Sequence, residues 1–286
     1  GALLGAWSDE ELANLPKIKE KAVANGYKEC EVISKEELYK LEPNLGEGAL
    51  AALTVPGEWI IDPWAPIVAF ATQAKLAGAE IKLSTKVESI NTADHLITLN
   101  TNVGQIQTHY LINAAGLYSD EIDANLGITD FKITPRRGEL IVFDILSRRL
   151  INHVILPVPS SMGKGVLVAP TVFGNIMLGP TAENLDDKTA TGSTNAGLAS
   201  LLQKGRKIAP KLLAEEITAT YAGLRAASEH SDFQIRLHNL DGKQRYVTVG
   251  GIRSTGLSAS MAIAIYVKEL LIKAGMELNG ERALPE

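Results

Sequence analysis

Arg245–Val267 reads RYVTVGGIRSTGLSASMAIAIYV: a strand, a glycine turn and a helix, in that order. Tyr246, Val247 and Val249 are strand formers. Gly250 and Gly251 break the strand and let backbone come close to another group. Ser254, Thr255 or Ser258 could cap the following helix, where Ala259, Ala262, Ile263, Tyr266 and Val267 recur at helical spacing. A strand that feeds a helix through glycines leaves free N–H groups and a positive dipole end aimed at one spot, which favours an anion, often a phosphate. An ordinary tight strand–helix turn has the same pattern.

The preceding region, Ile128–Gln244, is rich in strand signals: Lys132–Pro135, Glu139–Asp144, His153–Pro157, Gly165–Pro170, Asn175–Gly179, Ile217–Gly223 and Asp232–Leu237. Turn signals at Pro159-Ser160-Ser161 and Phe173-Gly174-Asn175 separate them, and one long helix near Thr194–Ile208 interrupts them before Pro210. The reading is a mainly antiparallel region inserted between two segments of parallel-sheet type. The earlier of those segments begins at Asp62-Pro63, with Pro at the favoured first helical position. Ile67, Val68, Phe70, Ala71, Ala74 and Leu76 are expected to form that helix's packed face. Glu80–Leu83, Lys86–Asn91, His95–Asn100 and Gly104–Thr108 read as successive strands, the first following the helix as in a βαβ crossover and the last two forming a ribbon. Tyr110–Asn113 is a short strand that runs into Ala114-Ala115-Gly116, where small side chains allow a close approach, and Ser119–Leu126 is helical. At the front, Ala2–Trp7, Cys30–Ile33 and Ala49–Val55 are strands. Ser8 with Glu11, and Ser34 with Glu37, read as capping boxes.

The chain has 286 residues, enough for one large domain or two that share a core. Apolar residues at 45% and charged residues at 21% are ordinary for a globular protein, and a net charge of −5 argues against a nucleic-acid surface. No apolar run approaches the roughly 18 residues a spanning helix needs. The N-terminal segment has no basic n-region of a signal peptide. The single cysteine, Cys30, fits a reducing compartment, so the composition points to a cytoplasmic protein. No His/Cys/Asp/Glu cluster has metal-ligand spacing, and no G-x-S-x-G elbow or Walker loop is present.

Six segments carry a further signal: IIDPWA at Ile60–Ala65, LINAAGLYSDEI at Leu111–Ile122, PRRGEL at Pro135–Leu140, GKGVLVAPTVFGNIMLGPTAEN at Gly163–Asn184, YAGLRA at Tyr221–Ala226 and GIRSTGLSAS at Gly251–Ser260. In that order they resemble FAD-dependent oxidoreductases of the D-amino-acid-oxidase superfamily. The branch most alike is the FAD-dependent glycerol-3-phosphate dehydrogenases, with L-2-hydroxyglutarate oxidases close behind. The resemblance implies an α/β (α+β) fold, an incomplete Rossmann-like FAD-binding domain interleaved with a mainly antiparallel β-sheet substrate domain. Residues 1–61 and 128–244 would belong to the substrate part, 62–127 and 245–275 to the FAD-binding part, and 276–286 to a tail. It further implies hydride transfer from a small 2-hydroxy acid or polyol phosphate, glycerol 3-phosphate favoured, to flavin N5. L-2-hydroxyglutarate or an amino acid is the alternative substrate. The implied partners are a small anionic substrate and an electron acceptor: a quinone, oxygen or an electron-transfer protein. For a full-length protein the resemblance also allows association at the membrane periphery.

By the same resemblance Arg225, in Ala222-Gly223-Leu224-Arg225, would hold the substrate's carboxylate or phosphate over the flavin. A strand-end surface pair would place the same residue there. Arg253, inside the glycine turn, would be a second anion clamp or would tune the flavin. Arg137 and His230 are further substrate-binding candidates, and His153 is a catalytic one. Arg136, Arg137 and Glu139 would border the cavity or simply form a charged strand end. Val87, Ala114, Ala115 and Gly116, together with Gly251, Ile252, Arg253, Ser254, Thr255, Gly256, Leu257 and Ser258, would contact the cofactor largely by backbone.

The Rossmann signature G-x-G-x-x-G, whose glycines hold a pyrophosphate at a helix N-terminus, is not found. Gly46-Glu47-Gly48 has no strand before it, and Gly163-Lys164-Gly165 sits before a strand rather than after one. The expectation is a fragment without that front unit, inactive alone and holding FAD weakly or not at all. A flavin-free binding module that keeps the fold is the alternative.

Overall fold

The computed structural model describes residues 1–93, 95–159, 165–278 and 280. In chain order these form β1 (Ala2–Ala6), α1 (Asp9–Ala24), β2 (Val32–Ser34), α2 (Lys35–Leu41), β3 (Ala51–Val55) and α3 (Trp64–Leu76). Next come β4 (Val87–Ala93), β5 (Leu96–Thr101), β6 (Gly104–Thr108), β7 (Leu111–Asn113), α4 (Ser119–Ala124) and β8 (Ile133–Phe143). The rest is β9 (Val154–Pro157), β10 (Leu167–Pro170), β11 (Ile176–Gly179), β12 (Glu183–Asn184), α5 (Asn195–Ile208), β13 (Ile217–Ser228), β14 (Gln234–Leu240), β15 (Lys243–Gly250) and α6 (Gly256–Lys273). Ser160, Ser161, Gly163 and Lys164, named above in turn and motif signals, lie outside the described residues, as does the tail from Glu281.

Two compact units emerge, one of residues 1–62, 137–183 and 191–223, the other of 63–136, 184–190 and 224–286. In the first, β1 lies between parallel β9 (Leu3 opposite Ile155) and antiparallel β3 (Leu3 opposite Thr54). Its core gathers Leu3, Ile141, Phe143, Ile155, Val168 and Ile176, all buried strand residues, together with Leu201 of α5. α5 lies on this sheet through Leu201, Gly205 and Ile208. A Cβ on Gly205 would come within 2.7 Å of Leu178, so only glycine lets the helix approach. Ser34 and Glu37 form the expected capping box. At α1, Ser8 accepts from the Glu11 N–H, but the Glu11 carboxylate turns to the Trp7 N–H at 2.6 Å instead of closing the box on Ser8.

In the second unit β15 pairs antiparallel with β14 and parallel with β7, placing Tyr246, Val247 and Thr248 opposite Leu111, Ile112 and Asn113. The two flavin-type segments therefore do come together, as expected from their separate strand–turn–helix patterns. The two faces of β15 serve different clusters. Tyr246 packs with Ile90, Ile97 and Leu240, while Val247 and Val249 pack with Val267 and Leu271 of α6.

Four expectations need correction. Glu80–Leu83 is not a strand. The Asn102 side chain bonds the Lys86 N–H (2.7 Å) and the Ser84 carbonyl (3.0 Å) and holds residues 84–86 as a turn, so β4 joins an antiparallel sheet with β5 and β6 rather than a βαβ crossover. The two strands expected at Lys132–Pro135 and Glu139–Asp144 are one, β8, which runs from Ile133 to Phe143 through the half-buried stretch Arg136–Gly138, with burial alternating on either side of it. α3 has no packed face: Ile67 is 55% exposed, Val68 59% and Phe70 45%, with Pro63 at the N-cap rather than inside the helix. A helix apolar on every side needs covering on every side, and the described residues of its unit do not supply that cover. Residues 128–136 and 224–244 sit in the second unit because β14 pairs along its whole length with β15. Lys188 ties the segment 184–190 to α4 through Asp120 (3.0 Å) and Glu121 (2.7 Å). Burial works against the Lys188 charge, but these two bonds outweigh it and raise its pKa.

Candidate functional site

The second unit's two parallel strands, β7 and β15, end side by side, and each ends in a glycine turn. After β7 the chain runs through Ala114 and Ala115 to Gly116, whose φ of +57° lies in the left-handed region. This turn is set by a buried acid. Asp123 of α4 accepts from Asn113 Nδ2 (2.8 Å), Thr248 Oγ1 (2.8 Å) and the Tyr246 hydroxyl. Asn113 also donates to the Ser119 carbonyl (2.8 Å), and its Oδ1 accepts from the Ala115 N–H (3.1 Å). Ser119 then donates to the Gly116 carbonyl at 2.9 Å. The side chains of Asn113, Ser119, Asp123, Tyr246 and Thr248 in this network are almost fully buried and bonded, so it fixes the backbone of residues 113–119. Burial, and then the bond to Asp123, raise the Tyr246 pKa above its ordinary value and keep the phenol a donor.

After β15 the chain passes Gly250 and Gly251. A Cβ on Gly250 would meet Phe131 at 2.5 Å and Ser119 Oγ at 3.1 Å, which makes the two turns direct neighbours. Gly251 has φ +64°, and a Cβ there would meet Ser228 Oγ at 3.1 Å. Ser228 Oγ is buried with no hydrogen-bond partner among the described residues. Thr255 stands at the N-cap of α6 but makes no side-chain cap bond, so neither it nor Ser254 or Ser258 performs the capping expected of one of them. Ala114, Ala115, Gly116, Ser254, Thr255, Leu257 and Ser258 are exposed, and Ile252, Arg253 and Gly256 half-buried. Crevices of this kind, outside the carboxyl ends of adjacent parallel strands and at an open helix N-terminus, are where α/β folds bind phosphate-bearing ligands.

The candidate cations fall into separate surroundings. Arg225, half-buried on β13, donates through Nε to the Arg136 carbonyl at 3.4 Å. Burial first, then the neighbouring Arg136 charge, lower its pKa, though an arginine so placed stays protonated. Arg136 donates to Asn184 Oδ1 at 2.7 Å. Arg253 reaches the Ser231 carbonyl, and His230 Nε2 stands 3.2 Å from the Asp130 carbonyl. In the first unit, Arg137 pairs with Glu183 (2.5 Å) and bonds the Gly192 carbonyl (3.3 Å). His153 is held by fully buried Glu42, through its N–H (2.6 Å) and its ring Nδ1 (2.7 Å). Glu139 is an internal anchor: it accepts from Thr194 Oγ1 (2.9 Å), the N-cap of α5, and from Thr181 Oγ1 (3.1 Å). Val87 starts β4 and packs its side chain against the Ile90–Tyr246 cluster.

The model of the family described as FAD dependent oxidoreductase (DAO) matches residues 1–270 of the chain. The chain belongs to that family. It is 38% identical over 271 residues to a glycerol 3-phosphate dehydrogenase of Caloramator mitchellensis, covering 95% of this chain and 56% of that protein. It is 32% identical over 286 residues to a glycerol 3-phosphate oxidase of Mycoplasma genitalium, covering 97% of this chain and 74% of the other. The dithionite-reduced L-α-glycerophosphate oxidase of Mycoplasma pneumoniae, with FAD bound, superposes with a TM-score of 0.89 at 30% identity, covering 99% of this chain and 74% of that one. The chain thus spans little more than half the length of the first of these relatives. Among the described residues no helix is long and apolar enough to cross a membrane.

Sequence reasoning passed over Asp123, Ser119, Tyr246 and Thr248. A signal was there: Tyr246, Thr248 and Gly250 share one face of β15 at period two, while Val247 and Val249 take the other.

Proposed function

We propose that this chain is the catalytic part of an FAD-dependent enzyme that oxidises a CH–OH group of a small anionic substrate, glycerol 3-phosphate favoured. FAD, when bound, supplies the hydride acceptor. Residues 114–116 and 251–258 would hold it, chiefly by backbone. The fit rests on the left-handed glycines 116 and 251, the uncapped start of α6 and the orphaned Ser228 hydroxyl. Asp123 and Asn113 would position the first of these turns.

The observation that carries the substrate reading is the half-buried Arg225 guanidinium, held at 3.4 Å from the Arg136 carbonyl, where Arg136 brings a second positive charge close by. Two like charges in a partly dehydrated place favour an anion between or beside them, and a bidentate Arg matches phosphate or carboxylate geometry. Arg253 would add charge beside the cofactor turn. Arg137, held by Glu183, and His153, held by Glu42, are assigned no chemical step. His230 stays a candidate substrate contact on the turn that follows β13. The electron acceptor, whether oxygen, a quinone or an electron-transfer protein, is read by comparing oxygen uptake with dye reduction.

The test is steady-state kinetics of the full-length flavin-loaded protein. Arg225→Ala should weaken apparent affinity for glycerol 3-phosphate by about 30-fold to several thousand-fold, the equivalent of about 2–5 kcal/mol, with flavin content unchanged. Arg225→Lys should recover part, because an ammonium lacks the fork. Unchanged KM and kcat in Arg225→Ala would remove Arg225 from the site. Activity on L-2-hydroxyglutarate without activity on glycerol 3-phosphate would reassign the substrate.

A further inference from the structure

β15 has another end. At Lys243–Arg245, about 16 Å along the strand from the glycine turns, the second unit has a cavity of about 390 Å³, lined by His95, His109, Tyr110, Lys243, Arg245 and Lys273 among others. That size falls within the range of small-molecule sites. We propose that this cavity is a second anion site, one that takes a phosphate group and is separate from the flavin and from Arg225.

The case is made from charge and from an unmet bond. Three fixed cations and two imidazoles converge from four places: the β4–β5 turn, the segment between β6 and β7, the start of β15 and the last turn of α6. Among the described residues Asp241 answers part of this charge: it pairs with Arg245 Nη2 at 2.9 Å and is itself half exposed. Asp94, beside His95 in sequence, lies outside the described residues. The negative end of the α6 dipole offsets part of the Lys273 charge. Arg245 is only 3% exposed, an unusual depth for a guanidinium. Its Nε bonds the Leu240 carbonyl at 3.3 Å, and its Nη1 is buried with no partner among the described residues. A buried donor of that kind is stabilised when an acceptor arrives, and phosphate oxygens are strong charge-assisted acceptors. The phosphate can come from a soluble compound or from an anionic lipid headgroup, and the experiment separates the two.

Pyrophosphate and vesicles of phosphatidylglycerol, with phosphatidylcholine as control, are titrated against the full-length FAD-loaded protein and its Lys243→Gln/Lys273→Gln variant. Both lysines are exposed, so the variant folds, as circular dichroism and flavin content will check. The expected result is pyrophosphate binding by calorimetry that shifts the His95 and His109 ring signals in NMR and weakens at least tenfold in the variant. Binding to phosphatidylglycerol vesicles that is lost in the variant and competed by pyrophosphate assigns the phosphate to a lipid. Pyrophosphate binding without vesicle binding assigns it to a soluble compound. Binding equal in wild type and variant, or no binding of either probe, overturns the site.

Discussion

The two units bury their acids alike but differ in what their helices leave bare. In the first, Glu42 and Glu139 are enclosed by donors of their own unit, and Arg137 is matched by Glu183. In the second, Asp123 is enclosed just as fully, yet the surface of that unit is left open. α3 buries none of its residues, and α6 exposes Met261 (60%) and Ile265 (56%). Among the described residues, buried polar atoms without a hydrogen-bond partner occur in both units, Trp7 Nε1 in the first and Ser228 Oγ and Arg245 Nη1 in the second, where Arg225 also sits beside Arg136. Enclosed charge in matched surroundings marks scaffold, because removing one member harms folding and little else. Crowded like charge and bare apolar helices mark places built to receive something.

That contrast can be broken by mutation. The largest effect is expected at Glu42. Glu42→Ala strands the Asn152 and His153 N–H groups and the His153 ring, so it should cost about 3–5 kcal/mol of stability in a denaturant titration. Whatever folds should keep a normal KM. A variant of normal stability with an altered KM would move Glu42 and His153 into the reaction and erase the distinction between the units.

Asp123→Asn tests the other side. The amide keeps one acceptor oxygen for Asn113 and Tyr246 but loses the charge and turns its NH2 toward Thr248, whose hydroxyl must stop donating there, so about 2–3 kcal/mol should be lost. Flavin affinity should fall with it, because the network sets the 113–116 turn. Lost stability with full flavin affinity would make Asp123 scaffold only, like Glu139.

A smaller effect concerns pH. His238 lies 3.1 Å from Thr248 Oγ1, and burial lowers its pKa, with the Arg236 charge acting in the same sense against Asp123 and Asp130. A depressed folded-state value means the unfolded chain binds the proton more readily. The stabilising contribution is therefore present above the ordinary histidine range and is lost as pH falls through it, near pH 6.5 and below. Thermal melts of wild type should decline there, and His238→Gln should flatten that decline. A slope unaffected by the substitution would assign it to another group.

The smallest effect is expected on the bare helix. Val68→Ser on α3 should change the stability of the 286-residue chain by no more than about 0.5 kcal/mol, since the side chain is 59% exposed. A much larger cost would mean that this face is covered in solution, and would sharpen the contrast into a docking surface.

Much of this was legible in the linear pattern. Apolar and strand-forming runs marked β1, β3 and β15, and Ser34 with Glu37 marked the start of α2, because those signals are local. The six family segments located the turns at Ala114–Gly116 and Gly251–Ser258. What the pattern missed depends on partners distant in sequence. Asn102 bends residues 84–86, which no window around Glu80 reveals. Glu42 claims His153 across 111 positions, which turns a candidate base into a held side chain.

By itself, then, the sequence determined the strand and helix alternation, the strained glycines and the FAD-dependent family, because these rest on residue type and short spacing. The tertiary structure alone decided what surrounds each charge. Asp123, Glu42 and Glu139 look alike as carboxylates in a string. Only when the chain folds do the donors around each of them come into being, as does the buried Arg245 Nη1, which has no partner among the described residues.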